Sequence, residues 1–251
     1  MYYGLYISAA GAHAQNQKVE ILSNNLANVD TVGFKRELAL LEARDAESIE
    51  RGLTPRDSRS VENIGGGVRL RETATDFAVG TMKQTGNQTD FALDAANAFF
   101  AVERDGEQLL TRAGNFEVSE DGRLVTGDGD AVLSTDGTPI QLEPGIPWRV
   151  LPGGIIEQAG DQTPLAVRRP TSLRELTKVG QNYYSAGAAN VENLPDVERP
   201  IRSGYLEMSG VNSMQEMVEM ISTTRGYETN IRMIQNHDSM TGSLVSRLLR
   251  A

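Results

Sequence analysis

The side chains able to do acid–base or metal chemistry in this chain are few and poorly placed for it. His13 and His237 are the only two histidines, and both fall in Pro-free segments with helical apolar spacing. His237-Asp238 has the composition of an oriented imidazole, yet adjacent positions on a helix point about 100° apart and do not face each other. A polar helix surface, or a helix–helix hydrogen bond, accounts for both. Asp121, Asp128-Gly129-Asp130 and Asp136 offer hard oxygen ligands of the kind calcium takes. No twelve-residue loop among them closes on a bidentate glutamate, so hairpin turns explain them and no metal ligand is assigned. Glu117 and Glu120 have the residue types of a glycosidase pair. In a chain with 34 Asp+Glu, two nearby carboxylates carry little information. Gly65-Gly66-Gly67 lacks the Gly-Lys-Ser/Thr ending of a phosphate loop, and no clear strand precedes it. There is no cysteine, which removes thiolate nucleophiles, thiolate metal sites and disulfides together. The expectation is a protein with no catalytic residue, no cofactor and no metal.

Composition narrows the partners. The 251 residues carry 24 Lys+Arg against 34 Asp+Glu, a formal net charge of −10. Phosphate neutralisation needs a basic face, so nucleic acid is excluded as a partner. No apolar run approaches the roughly 18 residues of a membrane span. The first basic residue is Lys18, so the start of the chain lacks the charged n-region of a secretory signal. Composition alone therefore points to a cytoplasmic protein, or to export without a cleaved signal.

The elements that would position any site are distributed unevenly. Residues 2–28 and 212–249 read as long helices, and the stretch between them reads as β. In the first helix Leu5, Ala9, Ala12, Val19, Leu22, Leu26 and Val29 recur at three- and four-residue steps, interrupted at Gln15-Asn16. Asn28 and Asp30-Thr31 end that pattern, and Gly33 suits a left-handed backbone position. In the last helix Met217, Ile221, Thr224, Tyr227, Ile231, Ile234, Thr241, Val245 and Leu248 form a stripe. Ser213 and Glu216 have capping-box spacing at its start. The methionines at 214, 217, 220 and 233 are packing residues whose flexibility suits a repeated interface. Such a helix would span about 55 Å.

Residues 37–52 have the composition of a charged helix, and 53–67 of a loose arm ending in the glycine triplet. The middle is punctuated by Asp105-Gly106, Asp121-Gly122, Asp128-Gly129 and Asp136-Gly137, the dipeptides of tight hairpins. Eight of the nine prolines lie between Pro139 and Pro200, so its second half is expected to be loop-rich, with short strands near Trp148–Leu151 and Tyr183-Tyr184. The resulting expectation is an α+β chain. Long N- and C-terminal helices pack as a discontinuous coiled-coil domain around a central, mostly antiparallel β domain. The boundaries are 1–40 for the first helix, 41–67 for the linker or arm, 68–204 for the β domain and 205–251 for the last helix. Apolar stripes of this length imply packing on neighbouring molecules as well as on each other.

Particular residues carry a resemblance. Leu22-Ser23-Asn24-Asn25-Leu26-Ala27-Asn28-Val29 with Thr31-Val32-Gly33-Phe34-Lys35 closely resembles the N-terminal signature of bacterial flagellar rod and hook proteins. Gly204-Tyr205-Leu206-Glu207-Met208-Ser209, Val211, Glu216-Met217-Val218, Met220-Ile221, Arg225, Tyr227-Glu228 and Asn230 resemble its C-terminal signature. Between them Asp90-Phe91-Ala92-Leu93, Phe99-Phe100-Ala101-Val102, Thr111-Arg112-Ala113-Gly114-Asn115-Phe116 and Gly122-Arg123-Leu124-Val125-Thr126 follow the family's order. The chain departs from that pattern at Gly210, where the family usually has Asn, and at Asp94–Ala98, which is one residue longer and lacks the usual glycines.

The resemblance implies a structural subunit of the flagellar basal-body rod, exported unfolded through the flagellar secretion system and assembled in the periplasm into a tube that transmits torque. The short chain, and the lack of Leu-Leu-Tyr with Pro-Gly after Arg36, favour the proximal-rod type over the distal. The expected assembly interface is Leu5, Ala9, Ala12, Val19, Leu22, Asn25, Leu26 and Asn28 with Met217, Ile221, Tyr227, Ile231, Ile234, Val245 and Leu248. Expected partners are further copies and other rod and hook subunits, with surrounding ring proteins and peptidoglycan beyond them. The alternative is a non-catalytic cell-wall or ring-binding module on a helical stalk. A wall-degrading enzyme ranks last, since no acid pair stands out.

Overall fold

A computed structural model describes residues 2–45, 49, 51–52, 65–180, 182–187, 191–195 and 199–249. The chain divides into two compact units. One comprises Met1–Ala27, Glu37–Thr75 and Asn212–Ala251, and the other Asn28–Arg36 and Asp76–Val211.

The first unit contains two long helices, α1 (Tyr2–Ala27) and α2 (Ser213–Leu248), with a two-stranded ribbon. Helix α1 has no proline and is rich in alanine, the best helix former. Helix α2 is capped by Asn212, whose side-chain oxygen accepts from the backbone N–H groups of Met214 and Gln215. The cap is therefore one residue earlier than the Ser213 capping box expected from spacing, and Glu216 turns instead to a partner on α1. The ribbon pairs Glu37–Arg44 with Gly67–Thr75, antiparallel, with a register shift between Leu40 and Leu41. This corrects two expectations. Residues 37–44 are strand, although Glu-Leu-Ala-Leu-Leu-Glu-Ala-Arg has strong helix formers, because nine residues far along the chain supply a partner strand. Residues 41–44 are accordingly part of that pairing rather than of an arm, and the arm expected at 53–64 lies outside the described residues. Close approach sets the glycines here: Gly66 donates to Arg44 O at 2.6 Å, and a methyl on it would sit 2.0 Å from Asp45 O.

The second unit is antiparallel β. Its main sheet has nine strands, along which Thr177–Gly180, Tyr183–Ser185, Glu107–Thr111, Phe99–Arg104, Ala131–Val132, Leu124–Thr126 and Phe116–Val118 are successive neighbours. Val167–Pro170 pairs with the start of Phe99–Arg104 and with Val191–Asn193. A separate meander joins Trp148–Leu151, Ile155–Gln158 and Asp161–Pro164. The Asp-Gly steps do what their composition requires. Asp105 and Gly106 both take positive φ, 52° and 82°, in the hairpin between Phe99–Arg104 and Glu107–Thr111. All six phenylalanines of the chain are buried here, and Phe100 and Phe116 meet edge to face at 5.2 Å between centroids.

Candidate assembly surface

The helical unit has an unusual interior. Its buried non-glycine residues, among those described, are Ser8, Ala12, Ala14, Leu22, Asn25, Glu216 and Thr223. Of the nineteen large apolar side chains exposed on the described chain, Val79, Val118, Ile146 and Val179 lie in the β unit and the other fifteen in the helical unit. Burial of apolar surface is worth roughly 25 cal/mol per Å², so a unit arranged this way gives up most of its driving force when alone.

What lies between the helices explains the inversion. A methyl on Gly4 would stand 3.0 Å from His237 Nε2, and one on Gly11 3.1 Å from Asn230 Nδ2. Gly226 faces Gln15 at 3.5 Å by the same measure. Lys18 pairs with Glu219 at 2.8 Å, and Asn25 Nδ2 donates to Glu216 Oε2 at 3.2 Å. Seven residues forward on α1, from Gly4 to Gly11, are matched by seven residues back on α2, from His237 to Asn230, so the helices run antiparallel in a fixed register. These contacts are made by small and polar residues. Gln15, which interrupts the apolar stripe in sequence, belongs to it, and so does His237, which serves as a packing residue against glycine.

The expected interface residues divide accordingly. Ala12, Leu22 and Asn25 are buried within the unit, and Leu5, Val19, Leu26, Tyr227, Ile231 and Ile234 are half-buried. Ala9, Met217, Ile221, Val245 and Leu248 face outward, Ile221 with 54 % and Leu248 with 73 % of its surface exposed. Asn28 lies in the turn after α1, in the β unit, where its side chain accepts from Thr31 Oγ1. Met214, Val218, Met233, Met240 and Leu244 extend the outward apolar face beyond the residues expected from periodicity.

One constellation escaped the sequence reading. In the β unit Lys35, Arg112 and Glu207, from three distant segments, are buried together. Lys35 Nζ donates to Glu207 Oε1 at 2.6 Å and to Ala78 O at 2.7 Å, and Gly80 N donates to the same carboxylate oxygen. Arg112 Nε stands 3.7 Å from Glu207 Oε2, while Arg112 Nη1 holds the carbonyls of Ala95 and Ala98. That last pair of bonds anchors the Asp94–Ala98 turn. Burial, then the Arg112 charge, lowers the Lys35 pKa against the pull of Glu207; burial likewise lowers that of Arg112. Gly33 makes the cluster possible, since with φ +67° a methyl would fall 2.5 Å from the Arg112 carbonyl carbon. The available signal was a charged residue inside an apolar signature at two of the three places, Arg112-Ala113 and Leu206-Glu207, whereas Lys35 opens the charged run Lys35-Arg36-Glu37.

The other candidates resolve into structure. Asp130, considered for calcium, holds Arg104 through both carboxylate oxygens, and that guanidinium lies over the Tyr183 ring at 4.4 Å. Tyr183 Oη hydrogen-bonds Thr126 Oγ1 and donates to Asp128. Glu117 and Glu120 are both exposed, and the glycine triplet closes the ribbon beside Arg44. No helix among the described residues is long and apolar enough to cross a membrane.

Comparison with known proteins agrees with these signatures. Residues 5–35 match the family described as flagella basal body rod protein, 95–160 the D1 domain of flagellar hook protein FlgE/F/G, and 202–247 the C-terminal part of flagellar basal body rod FlgEFG protein. The flagellar basal-body rod protein FlgF of Caulobacter vibrioides is 30% identical over 249 residues, covering 97% of each chain. The chain belongs to the flagellar basal-body rod protein family. FlgG of Agrobacterium fabrum is 30% identical over 98% of this chain and 99% of its own, and FlgG of Bacillus subtilis 29% identical with the same coverage. The buried Lys35, Arg112 and Glu207 of this rod-family chain fall within or between the matched stretches, as do both helices that leave their apolar faces uncovered.

Proposed function

We propose that this chain is a structural subunit of the flagellar basal-body rod, incorporated through the outward faces of α1 and α2. The observation that carries the reading is the inverted helical unit: a polar seam within the chain and apolar side chains outside it. In the assembled rod those faces meet equivalent faces of neighbouring copies or of other rod and hook subunits, and the paired helices form an antiparallel coiled coil lining a tube. The proximal part of the rod is the position favoured by the segment after Arg36. The β unit carries its own phenylalanine core. The chain transmits torque and performs no catalysis. It reaches the periplasm through the flagellar secretion system.

Ile221→Asp tests this. Ile221 is exposed in the single chain, so the substitution leaves the isolated fold intact, whereas in an assembly it buries an unpaired carboxylate at a cost of several kcal/mol. Cells carrying the variant are expected to export the chain, fail to incorporate it and lose motility. Normal incorporation with normal swimming would overturn the proposal.

A further inference from the structure

The layer at the join of α1, α2 and the ribbon does something the remaining seam cannot. Asn25 is fully buried and makes three hydrogen bonds to two different segments. Its Nδ2 donates to Glu37 O at 2.9 Å and its Oδ1 accepts from Glu37 N at 2.9 Å, so the amide engages the backbone of the ribbon's first residue on both sides. The same Nδ2 reaches Glu216 Oε2 across the helix pair at 3.2 Å, and Glu216 is itself 1 % exposed. The other polar contacts described between α1 and α2 are glycine against a polar side chain at Gly4, Gly11 and Gly226 and the part-exposed Lys18–Glu219 ion pair, none of which is buried as Asn25 and Glu216 are. Apolar contact is non-directional, so buried Leu22 and half-buried Leu5, Val19, Ile231 and Ile234 select a register only weakly, and most of the other large apolar side chains face outward. A buried polar pair does discriminate, because any slip leaves both partners in a desolvated layer without each other.

We infer that Asn25 and Glu216 are positioning residues that set the antiparallel register of α1 against α2, and with it the alignment of the outward apolar faces that neighbouring molecules meet. Asn25 is held by two hydrogen bonds to the ribbon's Glu37 that do not involve α2, so it acts as the reference point, and Glu216 in the first turn of α2 is the reader. The inference concerns the single chain and holds whether or not the rod reading does. It assigns separate tasks to the two surfaces of the helix pair. The polar seam selects one register, and the apolar exterior supplies the energy of association.

The chain has no native cysteine, so two spin labels can be placed cleanly in the full-length protein. Glu20→Cys and Asp238→Cys are both exposed positions. Position 20 lies opposite residue 221 in the observed register, seventeen residues from 238, so the labels are separated by about 25 Å along the seam and a one-heptad slip changes this by about 10 Å. Pulsed dipolar spectroscopy is expected to give one narrow distance distribution in the labelled parent. Glu216→Gln, which keeps an acceptor for Asn25, should leave it unchanged. Glu216→Leu, although more apolar, should add a population displaced by about 10 Å. If Glu216→Leu alone loses helix content, the Asn25→Leu/Glu216→Leu chain, with a wholly apolar layer across the seam, should regain helicity and show the displaced population. A single unchanged distance in the leucine variants, a broad distribution in the parent, or loss of helix in both leucine variants would each overturn the inference.

Discussion

Glu207→Gln is the most informative single perturbation of the β unit. In the native chain one carboxylate serves two buried cations, with Lys35 at 2.6 Å and Arg112 at 3.7 Å. At an effective dielectric of about 20 these attractions are about 6 and 4 kcal/mol, set against a desolvation cost of several kcal/mol for each ion. The net worth of the intact cluster is therefore small, but removing its anion is not a small change. Glutamine still accepts from Gly80 N and Lys35, yet it leaves two buried positive charges facing each other. We expect a loss of about 3–5 kcal/mol, the range for breaking a buried ion pair from one side. In a unit of this size that corresponds to a fall of about 6–20 °C in melting temperature. Lys35→Met should cost less, about 1–2 kcal/mol, because it removes the surplus cation and leaves only the Ala78 carbonyl without its donor. Trp148 is the chain's single tryptophan and packs against the β core, so its fluorescence reads the melting of this unit directly. If Lys35→Met proves as damaging as Glu207→Gln, or if Glu207→Gln costs less than about 1 kcal/mol, the picture of a carboxylate neutralising two buried cations is wrong.

Three further outcomes follow from the same geometry. Gly33→Ala combines φ +67° with a methyl 2.5 Å from the Arg112 backbone, and should lower the stability of the β unit by about 3 kcal/mol in the same fluorescence melt. A methyl on Gly242 would meet nothing within 4 Å, so close packing inside the chain does not explain this glycine; Gly242→Ala should strengthen α2 by about 1 kcal/mol, seen as higher helical circular dichroism. Tyr183 has its pKa raised well above that of an ordinary tyrosine, chiefly by burial, opposed by the Thr126 hydrogen bond and reinforced by Asp130. The unfolded chain therefore ionises first, and this contribution to stability is present below about pH 10 and lost as pH rises further. Melting temperature should consequently fall more steeply above that pH for the native chain than for Tyr183→Phe.

The β region was readable because its signals are local. Asp105-Gly106 and its counterparts specify tight turns through backbone geometry alone, and Phe99-Phe100 announces a strand buried on both faces. The extent of both helices was equally plain. Their pairing surface was not, for a definite reason. Apolar periodicity finds the face that is greasy, and in α2 that face, marked by Met217, Ile221, Val245 and Leu248, points outward. The seam itself runs through Gly4, Gly11, Gln15 and Asn25, residues that no rule of hydrophobic spacing selects. Residues 37–44 failed for a different reason. Their intrinsic preference is helical, and the strand they form depends on a partner more than twenty residues away. The Lys35–Glu207–Arg112 cluster spans 172 positions between its outer members, so no local pattern joins them. Only the lone charges Arg112 and Glu207 within apolar signatures hinted that these residues were inside; Lys35, followed by Arg36 and Glu37, gave no such hint.

The central claim is that this chain is built into the rod. Quantitative mass spectrometry of hook–basal bodies purified from the cells that make it tests that claim most directly. The chain is expected in those particles in amounts comparable to the other rod subunits. Its absence from them, with the protein abundant elsewhere in the same cells, would contradict the claim.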